Sequence, residues 1–235
     1  MQNKIISVIG LGYVGLPTAI LLASAGNQVY GYDTDIQRIN IIKNRKLFID
    51  EKDLNKIFQK VAGKKLLAND TLQTADIYVI CVPTPLDNKT KSANMRHVEK
   101  AVEAICKLLK MGDLVVLEST SPVGTLKKIA KQVSLLRPDL LVPKTNDERG
   151  DIYLAYCPER ILPGNSLHEL VYNDRIIGGI NSISSQKAAL FYKIFVKANL
   201  EIATNSETAE MAKLTENAFR DVNIAFSNEL SMLSD

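Results

Sequence analysis

Lys4-Ile5-Ile6-Ser7-Val8-Ile9-Gly10-Leu11-Gly12-Tyr13-Val14-Gly15-Leu16-Pro17 decides the fold. Residues 4–9 are a short apolar run rich in Ile and Val, the pattern of a strand buried on both faces. Residues 17–25, rich in Ala and Leu, predict a helix closed by Gly26 at its C-terminal cap. Between them, Gly10-x-Gly12-x-x-Gly15 supplies a tight turn, close approach of the backbone to a pyrophosphate, and close packing of helix on strand. The start of such a helix offers free N–H groups and a partial positive charge to phosphates. Residues 28–32 predict the next strand. It ends at Asp33, where this fingerprint places an acid on a ribose 2′-hydroxyl. A carboxylate there repels a 2′-phosphate, and Thr34 and Asp35 follow with no adjacent arginine. The pattern therefore reads as NAD rather than NADP, with Arg38 near the adenosine. A glycine-rich turn without a ligand is the alternative.

Outward from this unit, strands and helices keep alternating. Helical patterns cover about 35–44 and 50–61, and an apolar strand covers 75–82 before Pro83-Thr84-Pro85 breaks it. Residues 96–110 carry helical spacing through Val98, Val102, Ile105 and Leu109; a strand covers 113–117, and a helix starts near Val123. Strands at 152–156, 175–180 and 200–203 complete the set, with a helix over 184–196. This rhythm predicts an α/β fold, a doubly wound parallel sheet of the Rossmann type covered on both sides. The polar segment 143–150 is expected as a surface loop, and no long internal repeat is apparent.

Residues 206–235 contain no Gly or Pro, and Asn205 and Ser206 provide N-cap chemistry. Ala212, Phe219, Phe226 and Leu233 recur at every seventh position, flanked by Leu214, Ala218, Val222 and Ala225. The spacing predicts a long amphipathic helix, roughly 45 Å at about 1.5 Å per residue, which needs a surface to lie against. The expected organisation is a dinucleotide-binding domain over 1–205 and the start of a long linking helix over 206–235.

The 235 residues are 46% hydrophobic and 23% charged, with 29 Lys plus Arg against 26 Asp plus Glu, a net charge of +3. That balance excludes collagen-like, low-complexity and disordered classes. It also lacks the footprint of a nucleic-acid or membrane binder, so neither partner is expected. The uncharged run 5–26, with Lys4 ahead and Ala23-Ser24-Ala25 near its end, mimics a signal peptide. Gly10, Gly12, Gly15 and Pro17 interrupt it, whereas a secretory core is about 7–15 apolar residues without such punctuation. Three widely spaced cysteines, Cys81, Cys106 and Cys157, fit a reducing compartment and hence a cytoplasmic location. With His97 and His168 the only histidines, no metal is expected.

Two strand ends carry hydroxyls, in Pro83-Thr84-Pro85 and Glu118-Ser119-Thr120. Ligands of open parallel sheets sit beyond the carboxyl ends of the strands, so Thr84 and Thr120 can meet a nicotinamide or a reacting water. A turn or cap role is the alternative for each. Tyr156-Cys157-Pro158-Glu159-Arg160 follows the next strand. Glu159 can orient water or move a proton, and Arg160 can grip a phosphate or carboxylate; a surface ion pair is the alternative. Lys213, Asn217 and Arg220 stand at i, i+4 and i+7 on one helix face. A lysine beside an amide can stabilise an oxyanion at a substrate carbonyl, with the arginine holding an anionic group; a solvated polar stripe is the alternative.

The glycine string Gly10–Pro17, with Val82-Pro83-Thr84-Pro85, Glu118-Ser119-Thr120-Ser121-Pro122-Val123-Gly124, residues 155–164, Asn173-Asp174-Arg175-Ile176-Ile177-Gly178-Gly179 and residues 213–225, resembles the nucleotide-sugar (UDP-glucose/GDP-mannose) 6-dehydrogenases. The likeness covers essentially the whole chain. That family oxidises a sugar C6 alcohol to a carboxylate with two NAD. The branch resembled acts on UDP-amino sugars, N-acetylmannosamine first, with the N-acetylglucosamine and glucose branches as alternatives. The resemblance implies that Gly10, Gly12, Tyr13, Val14, Gly15, Asp33, Arg38, Thr84 and Thr120 hold NAD, with Thr125 a second candidate. It implies catalytic roles for Glu159, Thr120, Lys213 and Asn217, substrate contacts from Arg160, Ile161, Lys213, Asn217 and Arg220, and a homodimer formed through the last helix. The family's nucleophile is a cysteine in a Gly-Gly-His-Cys or Gly-Gly-Ser-Cys stretch, and none of the three cysteines has that context. The chain thus resembles the N-terminal portion of such an enzyme, expected to bind NAD without completing the oxidation. Two other readings stand. One is a non-catalytic NAD-binding or interaction module, which the last helix suits. The other is an NAD-linked oxidoreductase of a different substrate, which Glu159-Arg160 and Lys213/Asn217 count against.

Overall fold

The computed structural model describes residues 4–143, 149–161 and 164–234. Residues 144–148 of the expected loop, and Leu162 and Pro163 of the 155–164 motif, lie outside the described residues. β1 (Ile5–Ile9) buries Ile6 to Ile9, and α1 (Gly15–Ser24) buries every residue from Gly15 to Ala23. A central strand and a buried helix account for the lack of charge over 5–26, because an unpaired charge in either would be desolvated. β2 (Gln28–Tyr32) follows, and α2 (Ile36–Lys43) is capped by Asp35, whose carboxylate accepts from the N–H groups of Gln37 and Arg38 at 3.0 and 3.1 Å. α3 (Lys52–Val61) buries Leu54, Phe58 and Val61, one face of a helix.

β3 (Leu66–Asn69) was not expected; its two leucines stand between Lys64-Lys65 and Asn69-Asp70, too short an apolar run to read as a strand. β4 (Ile77–Ile80), α4 (Arg96–Cys106), β5 (Leu114–Leu117), α5 (Thr125–Leu136) and β6 (Tyr153–Tyr156) then complete the parallel part. α6 (Ser166–Tyr172), β7 (Arg175–Gly179), α7 (Ser182–Tyr192), β8 (Leu200–Ile202) and α8 (Ser206–Ser234) finish the chain. The strands form one sheet in the order β3-β2-β1-β4-β5-β6-β7-β8. The order reverses between β1 and β4, which opens a crevice at their carboxyl ends.

The sheet is mostly parallel, as the alternation of strands and helices predicts, with one reversal at its far edge. β7 runs antiparallel to β6, pairing Tyr156 with Gly178 and Ala155 with Gly179, and β8 runs parallel to β7. The connection through α6, a seven-residue helix also not anticipated, returns the chain at the end of the sheet where β6 stops. Adjacent glycines then admit helices closely on both faces, since successive strand residues point to opposite sides. A Cβ on Gly178 would lie 2.5 Å from the Asn205 carbonyl oxygen, and one on Gly179 would lie 2.5 Å from the Ser185 nitrogen. β8 ends level with Ile177, and α8 starts beside Gly178, which pairs with Tyr156 at the carboxyl end of β6, so its first turns meet the loops at that end of the sheet.

The buried residues of α8 are Ser206, Ala209, Glu210 and Lys213, all in its first turns. The heptad face is not what packs: Ala212 is half-buried, while Phe219 is 71% and Leu233 82% exposed, with Phe226 exposed between them. This helix docks through Ala209, buried in the core beside Gly178, and through two carboxylates and an ammonium, none of them on the heptad face, so its hydrophobic repeat did not locate the contact.

Candidate functional site

Each glycine of the β1–α1 turn answers a different constraint. Gly10 has φ +92°, and a Cβ there would press to 2.7 Å from the Cys81 carbonyl oxygen. A Cβ on Gly15 would lie 1.9 Å from the Gly10 carbonyl oxygen, so only glycine lets the helix start this close to the strand. At Gly12 nothing stands within 4 Å of an added Cβ. That open side faces a cleft of about 570 Å³ lined by Gly10, Gly12, Tyr13, Val14, Asp33, Arg38, Thr84 and Thr120, among others. No side chain caps α1 and no acid lies in its first turn; the Leu16 N–H already donates to the Gly12 carbonyl at 3.1 Å and Pro17 has none, so Gly15 and the turn before it are what the helix start offers an anion.

Asp33, at the end of β2, is buried and already holds three hydrogen bonds. Oδ2 accepts from the Leu11 N–H at 2.8 Å and the Arg38 guanidinium at 2.9 Å, and Oδ1 accepts from the Asp35 N–H at 2.9 Å. Burial works to raise its pKa, but the N–H groups of Asp35 and Leu11 and the guanidinium outweigh it and hold the carboxyl below its ordinary value. A carboxylate offers about four acceptor positions, so one is left for a hydroxyl. Arg38 also lies over the Phe48 ring at 5.6 Å, and Tyr13 meets that ring edge-on at 6.1 Å.

The ends of β4 and β5 are tied together across the cleft. The Thr84 hydroxyl donates to the Thr120 carbonyl at 2.8 Å, and the Ser119 hydroxyl donates to the Val82 carbonyl at 2.7 Å. Beneath them Glu118, wholly buried, accepts from the Tyr192 hydroxyl at 2.6 Å and the Cys81 thiol at 3.2 Å, and pairs with buried Arg175 at 3.5 Å. Burial, with Glu118 beside it, pushes the Cys81 thiol well above its usual range; burial also puts Cys106 and Cys157 at about 11. All three are therefore thiols near neutral pH, and a thiol is a poor nucleophile. Among the described residues no group of three or more His, Cys, Asp or Glu side chains is placed to hold a metal ion.

A second cavity of about 580 Å³ lies beside the first and contains Arg160, Ile161, Lys213 and Arg220. Glu159 lines the cofactor cleft and Arg160 the second cavity, so the segment after β6 separates the two. Glu159 and Arg160 do not form a pair with each other. Lys213, only 4% exposed, donates to the Glu159 carbonyl at 2.6 Å and lies 3.4 Å from its carboxylate, while Arg160 pairs with Glu216 at 3.1 Å. The Asn217 amide oxygen accepts from Arg220 at 2.9 Å. Thr125 stands apart from both cavities: its hydroxyl donates to the Pro122 carbonyl at 2.6 Å, and it lines a groove between α4 and α5.

The sequence reading passed over Cys81, Glu118 and the α4 face His97, Lys100, Ala101 and Ala104, all lining the cofactor cleft. The alanines three apart on α4 were a usable sign of a close surface. Glu118 carried none, because its burial comes from partners 74 and 100 residues away in the chain.

Fold and cleft together define a dinucleotide-binding protein of the doubly wound type. The family model for the NAD-binding domain of the UDP-glucose/GDP-mannose dehydrogenase family matches residues 4–196, and the model for that family's central domain matches residues 207–235. The chain belongs to this family, and NAD is the cofactor of its matched domain. It is 49% identical over 234 residues to NDP-N-acetyl-D-galactosaminuronic acid dehydrogenase of Ralstonia nicotianae, covering 99% of this chain and 55% of that protein. It is 48% identical over 234 residues to UDP-N-acetyl-D-mannosamine dehydrogenase of Escherichia coli K12, with the same two coverages. The solved UDP-D-ManNAc dehydrogenase of Pyrococcus horikoshii superposes with TM-score 0.89 at 39% identity, covering 97% of this chain and 53% of that one. The chain thus spans about half the length of the curated relatives it matches. No helix among the described residues is long and apolar enough to cross a membrane.

Proposed function

We propose that this chain is the NAD-binding part of a 6-dehydrogenase for UDP-amino sugars, UDP-N-acetylmannosamine first, working in the cytoplasm. The observation that carries the cofactor half is the empty side of Gly12, between an uncapped helix start and the carboxylate of Asp33. Gly10, Gly12, Tyr13, Val14 and Gly15 would hold the diphosphate, Asp33 the ribose hydroxyl, and Arg38 the adenosine side. Thr84 and Thr120 would meet the nicotinamide end. Bound NAD supplies the hydride acceptor, two equivalents for each C6 alcohol taken with one water to a carboxylate. Lys213 and Asn217 would face the oxygen that gains negative charge, a task suited to a preorganised buried ammonium. Glu159, in reach of Lys213, would orient the water, and Arg160, Ile161 and Arg220 would hold the sugar nucleotide. Names of relatives support the amino-sugar class, and the near-equal identity, 49% against 48%, to a galactosaminuronic acid enzyme makes the epimer a point for direct test.

The three thiols of these residues suit no covalent step, so the 235-residue polypeptide binds NAD without sustained turnover. The exposed Phe219, Val222, Phe226 and Leu233 of α8 suit pairing with a second copy. Titration calorimetry of the 235-residue chain tests the cofactor assignment, with NAD expected to bind far more tightly than NADP. Steady NADH absorbance on adding UDP-N-acetylmannosamine or its epimers would refute the account of the thiols.

A further inference from the structure

Among the described residues no part of α8 lines the cofactor cleft. Yet α8 holds the loop that shapes the far end of that cleft. The residue before α5, at its N-terminal cap, is Gly124, which has φ +87° and no side chain to cap the helix. The partner comes from 84 and 86 residues away: Glu210 Oε1 accepts from the Leu126 N–H at 2.8 Å, and Oε2 accepts from the Gly124 N–H at 2.5 Å. Glu210 is wholly buried, and burial pushes its carboxyl up, against the pull of those N–H groups. One turn earlier Glu207 pairs with Lys127, and one turn later Lys213 donates to the Glu159 carbonyl. Three successive turns of one helix therefore fasten the β5–α5 loop and the segment after β6 at a fixed spacing.

We propose that Glu210 is the positioning residue for the β5–α5 loop, residues 119–124, and through it for the nicotinamide end of the cofactor cleft. The loop passes its placement on through hydrogen bonds. The Ser121 hydroxyl donates to the Ser119 carbonyl at 2.8 Å, the Ser119 hydroxyl reaches Val82, and the Thr120 carbonyl receives Thr84. A carboxylate with two oxygens suits two N–H groups; an amide at the same place has one acceptor and turns an NH₂ toward the second N–H. The adenosine end, from Gly10 to Arg38, has no link to Glu210 among these contacts, so the two ends of the dinucleotide should respond differently.

The proposal rests on the cofactor assignment above, in which Thr84 and Thr120 serve the nicotinamide half. The test is calorimetric titration of the 235-residue chain and its Glu210→Gln and Glu210→Asp variants with NAD and with ADP-ribose, which lacks the nicotinamide. Glu210→Gln should weaken NAD roughly fivefold or more, part of the effect of one lost charge-assisted hydrogen bond. ADP-ribose affinity should stay within about twofold of wild type, well under 1 kcal/mol. Glu210→Asp keeps the charge but shortens the reach, and should fall between; it decides the matter where Glu210→Gln does not fold. A purely structural role predicts equal loss of both ligands, which overturns the proposal, as does NAD binding unchanged in a folded variant. A wild-type chain that binds neither ligand overturns the cofactor assignment and this proposal with it.

Discussion

Gly12 and Gly15 lie three residues apart and face opposite demands. Gly15→Ala drives a methyl to 1.9 Å from a backbone oxygen, so the helix must shift; the variant should melt well below wild type, or fail to fold. Gly12→Ala meets nothing within 4 Å and should fold normally while losing NAD affinity, because its methyl enters the space a diphosphate needs. Thermal melts and NAD titration of the two variants separate these effects; a Gly12→Ala chain with undiminished affinity would place the diphosphate elsewhere. Asp33 gives a pH test. Its folded-state pKa lies below its ordinary value, so its contribution to stability is full above the unfolded pKa and is lost as pH falls through the folded one. Asp33→Asn should therefore be less stable than wild type by a constant amount near neutrality, and the gap in urea unfolding should close on acidification through and below the ordinary carboxylate range. A gap that widens in acid contradicts this. The type and position of Asp33 were legible in the sequence, since the fingerprint fixes its place relative to Gly10. Its three partners were not, because Leu11 and Arg38 reach it only after the turn and α2 have formed.

At the scale of elements, α8 departs most from its sequence pattern. The length of the helix was legible from its lack of Gly and Pro, but its docking face was not. A hydrophobic repeat identifies surface that needs cover, whereas this helix is held by Glu207, Glu210 and Lys213 against backbone and charged groups that lie far off in sequence. Its apolar repeat is thus left open from Phe219 onward. Replacing Phe219 and Phe226 with Glu should leave NAD affinity intact and abolish self-association in sedimentation. A wild-type chain that is already monomeric at high concentration removes that role from the helix. The reversed strand β7 and the short helix α6 were illegible for another reason. Strand direction depends on which end of the sheet a connection returns to, and no local pattern between residues 157 and 174 encodes that.

Over the whole molecule, the alternation of strands and helices made the doubly wound sheet legible, because each buried run had the length and punctuation of its element. The cleft is lined from the ends of β1, β2, β4 and β5 and from the segment after β6, so a dinucleotide held there would bridge several strands of the parallel part. Ligand that binds only the folded state stabilises it by about 2.7 kcal/mol at a hundredfold excess over Kd. For a domain of this size that corresponds to a rise in Tm of roughly 5–10 °C. NAD should give such a rise in a calorimetric melt and NADP a much smaller one; equal shifts would remove Asp33 as the discriminating group. The strand order has one more consequence, for synthesis. β1 sits between β2 and β4, so its second edge stays unpaired until residue 80 has been made. At about 5–20 residues per second the ribosome leaves that apolar edge open for roughly 4–14 s. A nascent chain with so exposed a first strand is a natural client for a chaperone stationed at the exit tunnel.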